Sequence, residues 1–369
     1  LVGCSGEKPA ENEPPASSAS DSPKTDQLVI LTWDQYISPE VLEQFSEETG
    51  IEIDYQTFEN TVEFKARMQS SPGEFDLVIA DDVSLKELAV LKLIDPLDRD
   101  QLSNFSNLDD RYLGLDSDPE NIFTIPYVWG STLIAYRTDL IGDVEPSWES
   151  FFDTSHGLRV AMLDEMIDAF ACALLAKGHS LNSNDTAELE DAADLLKNFA
   201  TNGNLIVEEL FTSLDALDEG EVAMAMTFSG DAALYAEGNE LIDYVIPKEG
   251  AALWLDSFAV GFGARNNANA HKFIDFMMRP EVAAQNASEL WYASPNREAL
   301  AHLDSEFLED KAVWPSEEVQ KRCDFHANIT GEREIILSKG MKYVMDAVRH
   351  QRNKAAVSHV DVADETEGN

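Results

Sequence analysis

The feature that most constrains the fold is a regular alternation of short apolar runs and amphipathic segments between Leu28 and Leu91. Leu28-Val29-Ile30-Leu31 has the length and β-branched content of a buried strand. Ser38-Pro39 then predicts a helix start, with Ser38 as N-cap and Pro39 in the first turn. Val41, Leu42 and Phe45 give that helix an apolar face, and Gly50 ends it. The alternating segment Ile51 to Phe58 predicts a second strand, and Asn60-Thr61-Val62-Glu63 a capped helix. Phe75 to Ala80 predicts a third, central strand, and Ser84-Leu85-Lys86-Glu87 a second capping box. The order β-α-β-α-β-α implies a parallel sheet with right-handed crossovers. In such sheets ligands bind beyond the carboxyl ends of the strands. Trp33, Asp34, Gln35 and Tyr36 fall at the first of these ends, where they serve either as rim packing or as a ligand wall.

The pattern continues with variations. Ile122 to Tyr136 reads as two extended segments separated by Pro126 and Gly130, a crossing into a second unit. Strands are expected over Leu158–Leu163, Val222–Phe228, Ile242–Pro247 and Leu253–Phe262. Helices are expected over Asp168–Lys177, Asp185–Gly203, Gly230–Gly238, Ala268–Met278 and from Pro280 to about Leu290. Ala293 to Asn296 is a turn, the rest is helical to about His350, and 351–369 reads as a disordered tail.

Charge narrows the partners. The chain carries 70 acidic against 26 basic residues, a net charge of −44, which repels nucleic acid and attracts cations. Leu1-Val2-Gly3-Cys4 fits the lipobox of a bacterial lipoprotein, with Cys4 as the lipidation site. Residues 5–26 are rich in Ser, Pro, Ala and Glu and read as a flexible tether. No run of about 18 apolar residues stands elsewhere in the chain, so no other segment is expected to cross a membrane. Cys172 and Cys323 lie among apolar neighbours, either paired or as two buried thiols.

Several chemistries lack their residues. The seven histidines form no HExxH, and the cysteines no CxxC, so neither a metal site nor a cofactor is expected. No GxxxxGK[ST], GxGxxG or GxSxG occurs at a strand end. The most enzyme-like group is Asp164, Glu165 and Asp168, a carboxylate set of the kind glycosidases use, or alternatively a helix cap and its solvated face. Other strand-end segments supply aromatics: Phe228-Ser229-Gly230, Trp254-Leu255-Asp256-Ser257 and Trp291-Tyr292. Trp254 and Asp256, two apart on a strand, point to one side. Rings and carboxylates from five distant segments suit a cation-binding cleft.

Together these segments resemble the spermidine/putrescine-binding proteins of bacterial ABC importers. The similar stretches run in the family's order: LTWDQYISPEVLEQFSEETGIEIDYQTFE, FDLVIADD, LSNFSNLD, FTIPYVWGSTLIAY, PKEGAALWLDSFAVGFGARN and ASPN. The resemblance covers about residues 28–348. It implies an α/β fold of two lobes, each a mainly parallel sheet flanked by helices, joined by a hinge. Lobe 1 would take 27–131 and 256–297, and lobe 2 132–255 and 298–350. It implies a receptor of the periplasm or cell envelope that is not an enzyme. Such a receptor is a lipid-anchored monomer that captures a polyamine and delivers it to an ABC permease. The alternatives are another solute in the same fold, such as an amino acid derivative or a sugar, or an envelope glycosidase using Asp164, Glu165 and Asp168. By motif, Trp33, Asp34 and Tyr36 fall on the first strand end, Glu165 and Asp168 on carboxylates holding an amine end, Trp254 and Asp256 on the central ring and its carboxylate, and Tyr292 on a further aromatic. Phe228 stands where the family often has Trp. The sequence departs from the pattern at Asp34-Gln35, where the acid is displaced by one residue, and at Val83-Ser84, where the family often carries Tyr. It departs again around Phe325–Asn328, where a polar contact common in the family is not evident.

Overall fold

The structure is a computed structural model that describes residues 26–202, 204–208, 210–327, 329 and 331–366. Cys4 and the expected tether up to Thr25 lie outside these residues. The predicted alternation folds as β1 (Gln27–Trp33), α1 (Pro39–Thr49), β2 (Glu52–Phe58), α2 (Thr61–Ser70), β3 (Leu77–Asp81) and α3 (Asp82–Val90). β1 pairs parallel with both β2 and β3. Ser38 caps α1 through its hydroxyl to the Val41 N–H, and Gly50 closes it with φ 70°. The start of α3 differs from the sequence reading. Asp81, not Ser84, is the N-cap, and its carboxylate accepts the Ser84 N–H at 2.8 Å. The helix thus begins where the strand ends and leaves two aspartates at the strand's carboxyl end.

Beyond β4 (Ile94–Asp95) comes β5 (Thr124–Arg137), one continuous strand where two segments were expected. Pro126 does not break it because the ladder is irregular there. Val128 faces Asp256 and Pro126 faces Ser257, so Tyr127 is an extra residue between them, a bulge of the kind that accommodates a proline within a strand. Then follow α4 (Trp148–Phe152), β6 (Arg159–Leu163), α5 (Met166–Ala176), α6 (Thr186–Asn202), β7 (Asn204–Glu208), α7 (Leu210–Asp218), β8 (Met224–Phe228), α8 (Ser229–Gly238) and β9 (Ile242–Val245). β7 had no counterpart in the sequence reading; its Leu205 and Val207 are buried beside β6. The long β10 (Ala252–Gly261), α9 (Asn267–Met277) and α10 (Pro280–Leu290) follow as expected.

The segment after Asn296 is not one helix. It breaks into α11 (Ser305–Glu309), α12 (Glu317–Gln320) and β11 (Asp324–Phe325) before α13 (Gly331–Thr366). Leu337, Met341, Val344 and Val348 bury one stripe of α13, and the Gln351 amide reaches the Ala200 carbonyl at 2.8 Å. The helix therefore runs past Gln351, where the sequence reading begins an unstructured tail. Cys172 and Cys323 are separate buried thiols.

The strands order as β2-β1-β3-β10-β5-β8-β6-β7. The outer ladders β1–β2, β1–β3, β6–β7 and β6–β8 are parallel. The central pairs β3–β10, β10–β5 and β5–β8 are antiparallel. β5 changes partner along its length: up to Ser131 it pairs with β10, and from Thr132 with β8. Buried clusters centred on Phe45, Phe258 and Phe273 flank the first half, and one centred on Trp148, Phe170 and Phe199 flanks the second. The carboxyl ends of β1, β3, β6 and β8 and the start of β10 converge where β5 changes partner.

Candidate functional site

Side chains at this convergence build a lining of rings and carboxylates. Trp33 ends β1 and donates its indole N–H to Asp256 Oδ2 at 3.1 Å. The next turn is fixed by Gln35, whose φ of 52° is left-handed. Tyr55 clamps it, donating its hydroxyl to the Trp33 carbonyl at 3.0 Å and accepting the Tyr36 N–H at 3.1 Å. The turn points Tyr36 inward and leaves Asp34 exposed, 3.5 Å from the Gln35 amide. Tyr127, the extra residue of β5, donates to the Tyr36 carbonyl at 2.6 Å and accepts from the Asn286 amide at 2.8 Å. Tyr36 thereby stands beside Asp256, and burial first, then the Asp256 charge, raise its hydroxyl well above the usual range.

Trp254 is the centre of the aromatic set. Its ring lies 4.9 Å from Tyr292 and 5.7 Å from Phe228, both edge-on, and Tyr292 lies 6.2 Å from Tyr36. Two glycines make room for it. A Cβ on Gly130 would fall 2.4 Å from Trp254 Cζ2, and one on Gly230 2.7 Å from Tyr292 Cε1. Trp291, in the left-handed region with φ 56°, ends α10 and turns Tyr292 inward. The Tyr292 hydroxyl donates to Asp231 in the first turn of α8.

The carboxylates have unusual surroundings. Asp256 is 5% exposed, and burial and the neighbouring charge of Asp81 push its carboxyl up to about 8. Burial, then Asp168 and Asp81, push Glu165 up to about 8. Burial raises Asp82 to about 7 although the hydroxyls of Ser257 and Ser117 donate to it at 2.7 and 2.8 Å. Burial likewise raises Asp231 to about 6, against the Tyr292 bond. Asp168 is buried, accepts the Thr132 hydroxyl, and stands 3.3 Å from His326 Nε2. Among the described residues, Lys and Arg form no ion pair with Asp81, Asp82, Glu165, Asp168, Asp231 or Asp256. Carboxylates withdrawn from water without a counter-cation are costly in the charged form, which is why Asp82, Glu165, Asp231 and Asp256 are raised. Ring faces beside them add about 0.5–2 kcal/mol each toward an ammonium or stack on methylenes.

Of the residues expected from the sequence, Trp33, Tyr36, Asp256, Trp254, Tyr292 and Phe228 form one connected group through these contacts. Glu165 and Asp168 form the second carboxylate group at the start of α5. Asp34 and Asp164 are exposed, and Asp164 adds its charge to the causes that raise Glu165. Val83 and Ser84 place no ring at the start of α3. The sequence reading missed Asp81, Asp82, Asp231 and His326. The aspartate pair ending FDLVIADD, directly after a central strand, was the available signal for the first two; His326 had none, because only the two-residue β11 carries it to Asp168.

Comparisons with known proteins identify the family. The sequence profile described as bacterial extracellular solute-binding protein matches residues 40–315. The spermidine/putrescine-binding periplasmic protein of Escherichia coli is 32% identical over 85% of this chain and 90% of its own length. Among solved structures, a putative spermidine/putrescine ABC transporter protein from Listeria monocytogenes superposes with a TM-score of 0.77 at 31% identity, over 88% of this chain and 99% of that one. A spermidine/putrescine substrate-binding protein from Streptococcus pneumoniae gives 0.75 at 30% identity, over 86% and 99%.

Proposed function

Because the chain belongs to the bacterial extracellular solute-binding proteins, we propose that it captures a polyamine of the putrescine or spermidine type in the cleft at the strand ends and delivers it to an ABC permease. Its fold is the two-lobed α/β fold of periplasmic binding proteins. The observation that carries the reading is the pairing of cation-free carboxylates, Asp256 buried and Glu165 half-buried, with a Trp254-centred aromatic lining. Asp256 takes one ammonium between Trp33 and Tyr36, Glu165 and Asp168 take another, and Trp254, Phe228 and Tyr292 stack on the methylenes between. Residues 27–131 with 256–297 form one lobe and 132–255 with 298–350 the other, and a hinge closes them on the ligand. The change of β5 partner between Ser131 and Thr132 supports that division. Lipidation at Cys4 tethers the receptor, a monomer, to the membrane. Among the described residues no helix is long and apolar enough to cross one.

A glycosidase using Asp164, Glu165 and Asp168 has less support. Asp164 is exposed while Asp168 is engaged by Thr132 and His326, and the matched relatives named above are solute-binding proteins. A thermal-shift screen of amines against sugars and amino acids tests the assignment. Stabilisation by putrescine, cadaverine, spermidine or spermine alone is expected. Stabilisation by sugars or neutral amino acids alone would reassign the ligand.

A further inference from the structure

Asp231 is an acid of the cleft that spends its hydrogen bond on a ring of the lining. It stands half-buried in the first turn of α8 and accepts the hydroxyl proton of Tyr292. That bond is not needed to place the Tyr292 ring. Trp291, in the left-handed region, turns the ring inward, and it meets Trp254 edge-on at 4.9 Å and Tyr36 at 6.2 Å. Gly230 leaves it the space it fills, since a Cβ there would come 2.7 Å from Tyr292 Cε1. The helix start does not account for the bond either, because its dipole favours an acid in the first turn with or without a tyrosine beside it. What Asp231 adds is a direction for one proton.

A phenol has one proton to donate and lone pairs that accept. Burial first, then the charge of Asp231 and after it that of Asp256, raise the Tyr292 hydroxyl well above its usual range, so it keeps its proton between these two acids. Tyr36 already bonds Asp256 through its own hydroxyl. Without Asp231, the Tyr292 proton would turn toward Asp256, the other carboxylate whose charge it feels, and would occupy an acceptor that the ammonium needs. We propose that Asp231 is a positioning residue for ligand capture, drawing the Tyr292 proton away from Asp256 so that Tyr292 meets an ammonium at Asp256 with its oxygen lone pairs. This rests on the polyamine reading of the cleft. Asp231 itself touches no amine. It keeps a neutral hydroxyl from competing with the cation and turns that hydroxyl into one more acceptor.

Asp231→Ala removes the acceptor, Asp231→Asn keeps an oxygen for the Tyr292 proton without the charge, and Tyr292→Phe removes the proton. Putrescine and spermidine are titrated by calorimetry into the unaltered protein, each variant and the Asp231→Ala, Tyr292→Phe double variant, and circular dichroism melts establish that each folds. Asp231→Ala is expected to lose roughly tenfold for both amines and Asp231→Asn less than about threefold. In the Tyr292→Phe background, Asp231→Ala should cost less than about twofold. Asp231→Leu, a second variant without an acceptor, carries the same expectations if Asp231→Ala does not fold. Proton release on binding, read from heats in buffers of different ionisation enthalpy, should fall in Asp231→Ala, because the redirected Tyr292 proton already favours ionised Asp256 before the ligand arrives. A role in packing alone would leave that count unchanged. Unaltered affinity without the acceptor, an equal loss in Asp231→Asn, full additivity with Tyr292→Phe, or an unchanged proton count would each overturn the role of Asp231 while leaving the polyamine receptor standing. Failure of the unaltered protein to bind either amine would overturn both.

Discussion

Ligand capture in this cleft should expel protons. Burial and like charges push Asp256 and Glu165 up to about 8 and Asp82 up to about 7. A carboxyl with a pKa of about 8 is roughly nine-tenths protonated at pH 7, so the empty cleft carries these protons at neutral pH. An ammonium placed against Asp256 and another against Glu165 favour the ionised forms and drive the pKa values back toward the ordinary carboxylate range. Binding at pH 7 should therefore release about one to two protons per ligand, a count that belongs to the cluster as a whole. The association constant should rise between about pH 6 and 8, by up to tenfold per pH unit for each proton released. Titrations at one pH in buffers of different ionisation enthalpy, such as phosphate and Tris, give the count from the slope of apparent heat against buffer enthalpy. Asp256→Asn should reduce that slope by about one proton. A zero slope, or proton uptake, would refute the argument from buried unpaired carboxylates.

The same carboxyls bind protons more tightly in the folded than in the unfolded chain, whose Asp and Glu titrate near 4. Their stabilising contribution is thus complete below about pH 4 and is lost as pH rises to about 8, so the melting temperature of the ligand-free protein should fall from pH 5 to 8 and saturating ligand should flatten the fall. Gly130→Ala puts a methyl into the Trp254 ring, whose Cζ2 lies 2.4 Å from the ideal Cβ position. It should cost about 1–3 kcal/mol in chemical denaturation and weaken amine binding, and a variant that binds and melts normally would remove the close approach from the account. Asp256→Asn should weaken binding by roughly a hundredfold, whereas Asp34→Ala should change it less than about threefold, both read by calorimetry.

Much of this was legible in the sequence because local signals and tertiary structure agree. Ser38, Gly50 and Asn60 punctuate helices by backbone chemistry that needs no partner. Trp33, Trp254, Asp256 and Tyr292 were legible because each follows or opens an apolar run, and strand ends gather in one place. The misses have equally specific causes. β5 reads as two pieces because the ladder irregularity that tolerates Pro126 depends on β10, more than a hundred residues away. β11 has two residues and no periodicity, so nothing local announces that it brings His326 to Asp168. Asp34 was read at the strand end with its neighbours, and the left-handed Gln35 beside it leaves its carboxylate exposed. Asp81 ends a strand like many aspartates, and its place opposite Asp256 exists only once β3 lies beside β10.

The most direct test of the central claim is calorimetric titration of spermidine into protein refolded free of any carried-over ligand. The account predicts one site per chain with a dissociation constant below about 10 µM, near −7 kcal/mol, with heat that varies with the buffer. Absence of binding heat for spermidine, putrescine, cadaverine and spermine alike would contradict it.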